Sequence, residues 1–209
     1  QRQKRYASLG KKIIINRNRI CCNLHKIITK IKTKIMKKTT MPDLTLIIST
    51  MMLALIAGLF YSYSCSVNPG LKQLGDSEYI AAMQSINKAI LNPMFFLSFM
   101  GTLLFLPVSL FFNFTAWDSP KFLLLLAAFI LYACGTFGVT IFGNVPLNDA
   151  LDTFVLKNAT VEEISLARKN FEIPWNNLHS IRTIASVISL LLVIVSLTIQ
   201  SKTAELITP

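Results

Sequence analysis

The sequence predicts an all-α fold: an integral membrane four-helix bundle whose two long loops carry short interfacial helices on the same membrane face. Two observations lead there. Of the 209 residues, 53% are hydrophobic and 15% charged, whereas soluble domains carry about 25% charged residues. Four stretches, 44–65, 94–117, 122–147 and 183–201, contain no charged residue. Each is close to or above the roughly 20 residues that a helix rising about 1.5 Å per residue needs to cross a ~30 Å hydrocarbon core. Spans are therefore expected near residues 44–64, 94–113, 122–142 and 180–200. The same composition excludes a disordered or fibrous chain.

Ahead of the first span, residues 1–40 hold 13 of the 21 Lys and Arg and no Asp or Glu. Residues 41–209 carry 8 basic and 10 acidic side chains, so the formal charge of +11 belongs to the arm. Nucleic acid is not expected as a partner, because a basic run beside a span reads more economically as an orientation signal or surface tether. Ile20, Leu24, Ile27, Ile28, Ile31 and Ile35 recur at helical spacing, which suits a basic amphipathic helix on an anionic membrane surface. A transit peptide has a similar acid-poor composition, and a translation start at Met36 or Met41 would leave the arm out of the mature protein. The expected organisation is a basic arm, 1–40, followed by a single four-helix transmembrane domain, 41–209.

After the first span, Ser66, Asn68, Pro69 and Gly70 predict a turn. Asp76 or Ser77 then caps a helix with an apolar stripe of Tyr79, Ile80, Met83, Ile86 and Ile90. Gln84 and Asn87, three residues apart, point the same way. This helix ends at Asn92-Pro93, where the second span begins. Only residues 113–121, with Asp118, Ser119 and Pro120, separate the second and third spans, which predicts an antiparallel hairpin. In the third span Ala133, Gly135, Thr136 and Gly138 keep one wall small, for a helix contact or for a ligand. Asn144-Val-Pro-Leu-Asn148 opens the second long connection. There Thr160 and Glu163 form a capping box for a helix through about Asn170. Pro174 suits the first turn of the fourth helix and sets Trp175, His179 and Arg182 at i, i+4 and i+7 on one face.

Four crossings deliver both long connections to one side of the membrane, and the unusual polar residues gather there. His179 and Arg182 are the candidate catalytic pair. An unperturbed imidazole titrates near working pH, so His179 suits a general base; Arg182, a permanent cation at the edge of a charge-free span, suits stabilisation of an enolate. Gln84, Asn87, Asn144, Asn148, Trp175 and Asn176 are the candidate substrate-binding residues. The bland alternative for Trp175 and Arg182 is an interfacial anchor. The four cysteines include no C-x-x-C, only His25 and His179 offer imidazole, and no glycine-rich phosphate loop occurs. Neither a metal nor a cofactor is expected.

Several pieces stand in order along the chain: Gly58-Leu-Phe-Tyr-Ser-Tyr-Ser64, Asn68-Pro-Gly-Leu71, Met83-Gln-Ser-Ile-Asn87, Asn92-Pro93, Asn144-Val-Pro-Leu-Asn148 and Trp175-Asn-Asn-Leu-His-Ser-Ile-Arg-Thr183. Through them the chain resembles the anthrone oxygenase-like membrane family, over about residues 45–200. The resemblance implies a four-helix integral membrane protein. Some fungal relatives oxidise anthrones to anthraquinones with molecular oxygen, while bacterial members are mostly of unknown function.

The expectation for this chain is a multi-pass membrane protein acting as a cofactor-independent oxygenase or other oxidoreductase. Its partners would be membrane lipid and a flat, lipophilic aromatic or quinone-like small molecule. The alternative is a non-catalytic membrane protein binding a lipid or partner protein, with the amides and Arg182 as interhelical glue. The expected location is the bacterial inner (plasma) membrane. With residues 1–40 counted, Lys and Arg place both termini in the cytoplasm; without them the count reverses, 2 against 6.

Overall fold

In the computed structural model, residues 26–27 and 41–199 are described. Apart from Lys26 and Ile27, which are helical, the proposed amphipathic helix of the arm lies outside them, as does Met36. The bundle belongs to a unit that begins at Pro42.

Five helices make the bundle. α1 is Met41–Leu71, α2 Asp76–Ala89, α3 Pro93–Phe112, α4 Pro120–Asp152 and α5 Val161–Thr198. All but α2 are long and apolar enough to cross a membrane, and no strand occurs among the described residues. The all-α four-span class expected from composition is thus what the chain adopts. In their most apolar windows only 28% to 39% of the residues are buried. The rest of that surface faces outward, as lipid requires, with Ile47, Met51, Leu104, Ile130, Ile184 and Leu191 exposed.

Where the spans meet, the buried set is Leu46, Leu53, Ile56, Phe60, Phe99, Leu106, Leu125, Ala128, Tyr132 and Val193. Small residues let the backbones close in. A Cβ built on Gly135 would stand 2.7 Å from the Ala185 Cβ, so this part of the small wall is a contact between α4 and α5. Gly101 faces Met52 in the same manner.

Three expected boundaries are corrected. Ser66–Gly70 is no turn, because α1 continues to Leu71 through a π-helical segment, Tyr63–Val67. Likewise Asn144–Asn148 does not open a loop, because α4 runs on to Asp152 through π-helical Leu131–Gly138 and Thr140–Asn144. Pro69 and Pro146 each follow a π segment closely, and a widened turn relieves the clash between a proline ring and the carbonyl four residues earlier. The third correction is Pro174. It lies inside α5 rather than at its start, so the helix begun by the Thr160/Glu163 capping box continues unbroken to Thr198. The fourth span and its supposed separate forerunner are one helix.

The connections are accordingly short, and the mouth of the bundle is built by helix ends. The ends of α1 and α4 and the start of α5 project there and pack on α2 through Leu71, Tyr79, Ile80, Met83, Leu151, Phe171 and Trp175. Arg168 ties α5 to α2 and to the α1–α2 connection: its guanidinium meets Asp76 at 2.9 Å and Glu172 at 2.7 Å, and donates to the carbonyls of Leu74 and Lys72. It also lies 4.4 Å over the Tyr79 ring. Burial pushes the Tyr79 phenol well above its ordinary value, with Glu172 adding to the shift and Arg168 opposing it.

Candidate functional site

The predicted face of α5 forms. Trp175, His179 and Arg182 are buried at 3%, 2% and 7% exposure, one above the other as i, i+4 and i+7 spacing dictates. The Trp175 and His179 rings stack at 5.1 Å and 10°. Arg182 lays its guanidinium 5.0 Å from the Trp175 ring and 4.4 Å from that of Phe60 on α1. Such sandwiching favours a desolvated cation. No carboxylate partners it, since the ion pairs of the described residues are Lys88–Asp152, Arg168–Asp76 and Arg168–Glu172.

His179 is held by a directional network. Arg182 Nε and Nη2 both lie 3.2 Å from His179 Nδ1. A guanidinium only donates, so Nδ1 accepts and the ring proton is assigned to Nε2. Nε2 then donates to Ser64 Oγ at 3.0 Å, with Thr183 Oγ1 at 3.4 Å. Ser64 Oγ in turn donates to the Phe60 carbonyl at 3.2 Å. This places Ser64 and Tyr63 on the π-helical segment of α1 directly against the imidazole, Tyr63 at 6.0 Å between ring centres.

Beside this stack lies a cavity of about 170 Å³ between α1, α2, the start of α3, the end of α4 and α5. Arg182, Trp175, Asn148 and Asn87 line it, together with Phe60, Tyr63, Phe95 and Thr140 and, from its charged members, Lys88, Asp149 and Asp152. Of the expected site residues, four therefore share one cavity. His179 and Asn144 lie behind the wall: Asn144 is fully buried and donates to the Trp175 carbonyl at 3.2 Å. Asn148 accepts from Trp175 Nε1 at 2.8 Å and so fixes the indole.

Two further expected binding residues stand outside the cavity lining. Gln84 donates to the carbonyls of Leu151 and Phe154, at 2.8 and 2.9 Å, and so ties α2 to the end of α4. Asn176 accepts from Asn68 Nδ2 at 3.0 Å, joining α5 to α1. Sequence reasoning overlooked Phe60, Tyr63 and Ser64 as site residues. Their signal was present in the aromatic and hydroxyl run Phe60-Tyr-Ser-Tyr-Ser64 at the end of an apolar span.

Fold and site together define a four-span integral membrane protein with a cation-bearing aromatic cavity at one end of the bundle. Residues 95–192 match the family model described as Anthrone oxygenase, so over its second, third and fourth spans the chain is similar to the anthrone oxygenase-like family. Two of the motifs, Asn144–Asn148 and Trp175–Thr183, fall inside the matched stretch. No curated protein and no solved structure matches the chain.

Proposed function

We propose that the chain is a cofactor-independent oxygenase, or another oxidoreductase, acting on a flat lipophilic aromatic or quinone-like molecule that enters from the lipid. One observation carries this reading: Arg182 is a buried cation without a carboxylate partner at the wall of an aromatic cavity. A fixed positive charge in a dry site stabilises an oxyanion that forms there. Trp175, Phe60 and Tyr63 supply ring surface for a planar ligand.

On an anthrone the step is as follows. A base takes one proton from the methylene carbon, and the electron pair passes to the carbonyl oxygen as an enolate held by Arg182. Dioxygen adds at that carbon. One of its oxygen atoms stays as the new carbonyl, and the other leaves as water with the two hydrogens the carbon has lost. Asp149, at the cavity wall and outside the ion pairs, is the proposed proton acceptor. His179 is proposed instead as a positioning residue that accepts from Arg182 and sets its plane.

The test is oxygen uptake by the purified protein with anthrone substrates. Arg182→Leu is expected to lower kcat/KM at least about 100-fold, the usual cost of removing an oxyanion donor. Uptake that Arg182→Leu leaves intact sinks the reading. We further propose the bacterial inner membrane with both termini cytoplasmic, on the charge of residues 1–40.

A second reading, a non-catalytic protein binding a lipid or partner protein, draws on the fact that Gln84, Asn144 and Asn176 spend their amides on other helices. Under it, Arg182→Leu lowers the Tm in detergent in step with any loss of function.

A further inference from the structure

Asn87 holds a buried side-chain amide nitrogen, Nδ2, that finds no acceptor in the protein. Leaving a buried donor unpaired is costly, and such groups are rare. This one lies on α2 at the wall of the Arg182 cavity. It is not a frayed position. One turn earlier Gln84 pins α2 to the carbonyls of Leu151 and Phe154, and the next residue, Lys88, pairs with Asp152 at 2.7 Å. The donor is thereby held in place from both sides.

Two residues with hydrogen-bond donors thus line one aromatic cavity from different elements, Asn87 from α2 and Arg182 from α5. The nearby amide acceptor, Asn148 Oδ1, is already taken by the Trp175 indole. Such a pair of side chains asks for two oxygens on the ring that lies between them.

We propose that Asn87 is a specificity-determining residue that donates to a second oxygen of a ligand whose first oxygen faces Arg182. The site then selects quinone-like rings bearing two oxygen acceptors over otherwise identical rings bearing one. This inference rests on reading the cavity as a ligand site, and not on turnover.

The test compares anthraquinone with anthrone, which differ by one carbonyl oxygen. Binding is titrated in lipid nanodiscs under argon, where no oxygenation occurs. Wild type is expected to favour anthraquinone about fivefold, the worth of one hydrogen bond. Asn87→Leu brings that ratio close to one while keeping or raising the Tm, since it deletes a donor with no protein partner. Asn87→Asp, which puts an oxygen where the donor was, turns the ratio in favour of anthrone. A ratio that neither variant moves overturns the proposal, and so does failure of both ligands to bind wild type. A wild-type ratio sensitive to Asn87, with no oxygen uptake in air, supports the subsite while removing the oxygenase reading. Uptake with a ratio indifferent to Asn87 removes the subsite alone.

Discussion

The two halves of the bundle handle polarity in opposite ways. Among the spans, most buried hydroxyls bond back onto their own helix: Ser49 to the Thr45 carbonyl, Thr102 to Ser98, Ser109 to Phe105, Thr140 to Thr136 and Ser186 to Thr183. At the mouth the polar side chains reach across. Arg168 binds α2 and the α1–α2 connection, Gln84 binds the end of α4, Asn68 meets Asn176, and Asn144 and Asn148 hold Trp175. In lipid a hydroxyl satisfied locally leaves the helix surface apolar, and the spans are joined mainly by shape and small residues, with Tyr132, Thr136 and Ser189 bonding across to the carbonyls of Phe99, Arg182 and Ala128. Where helix ends leave carbonyls unpaired, side chains from other elements cap them. The difference teaches that the mouth is wired for a particular arrangement, whereas the span core is packed for contact.

Truncations at the mouth should therefore cost more than truncations in the spans. The largest effect is expected from Arg168→Leu. It strands Asp76 and Glu172 and frees the carbonyls of Leu74 and Lys72. With the Arg168 side chain at 12% exposure, a loss of about 3 kcal/mol follows from breaking a largely buried ion pair. Thermal unfolding in detergent reads it, and a loss below that of any span hydroxyl would break the comparison. Next comes Gln84→Leu, which leaves the Leu151 and Phe154 carbonyls without the amide and should cost about 2 kcal/mol. The same substitution loosens α2 and should weaken ligand binding in the cavity by a similar factor for one-oxygen and two-oxygen ligands.

How much of this was legible in the sequence follows the same division. The spans were legible because lipid imposes a length and forbids charge, and Leu44–Cys65 or Phe122–Leu147 obey both. The capping box at Thr160 and Glu163 and the shared face of Trp175, His179 and Arg182 were legible because helical spacing alone sets them. Continuity through Pro69, Pro146 and Pro174 was not. A proline reads as a helix boundary, and only π-helical turns or tertiary packing override that preference. The amides were legible as a group and illegible one by one. Gln84 and Asn87 look alike in sequence, yet Gln84 spends both donors on carbonyls and Asn87 spends none through Nδ2.

The smaller effects sharpen the contrast most. Asn176→Ala removes one neutral bond to Asn68 at the mouth and should cost about 1 kcal/mol. Ser49→Ala is its counterpart in the spans. The Ser49 and Ser109 hydroxyls lie 2.8 Å apart and join α1 to α3, with both residues fully buried. Yet each hydroxyl also faces a carbonyl of its own helix, Thr45 at 2.7 Å and Phe105 at 2.9 Å. Deleting one leaves the other satisfied, so the coupling between them in a double-mutant cycle should be about 0.6 kcal/mol, the average for bonds between membrane helices. A coupling above that of Asn68 with Asn176 would mean that the spans, too, are specified by polar wiring and not by shape.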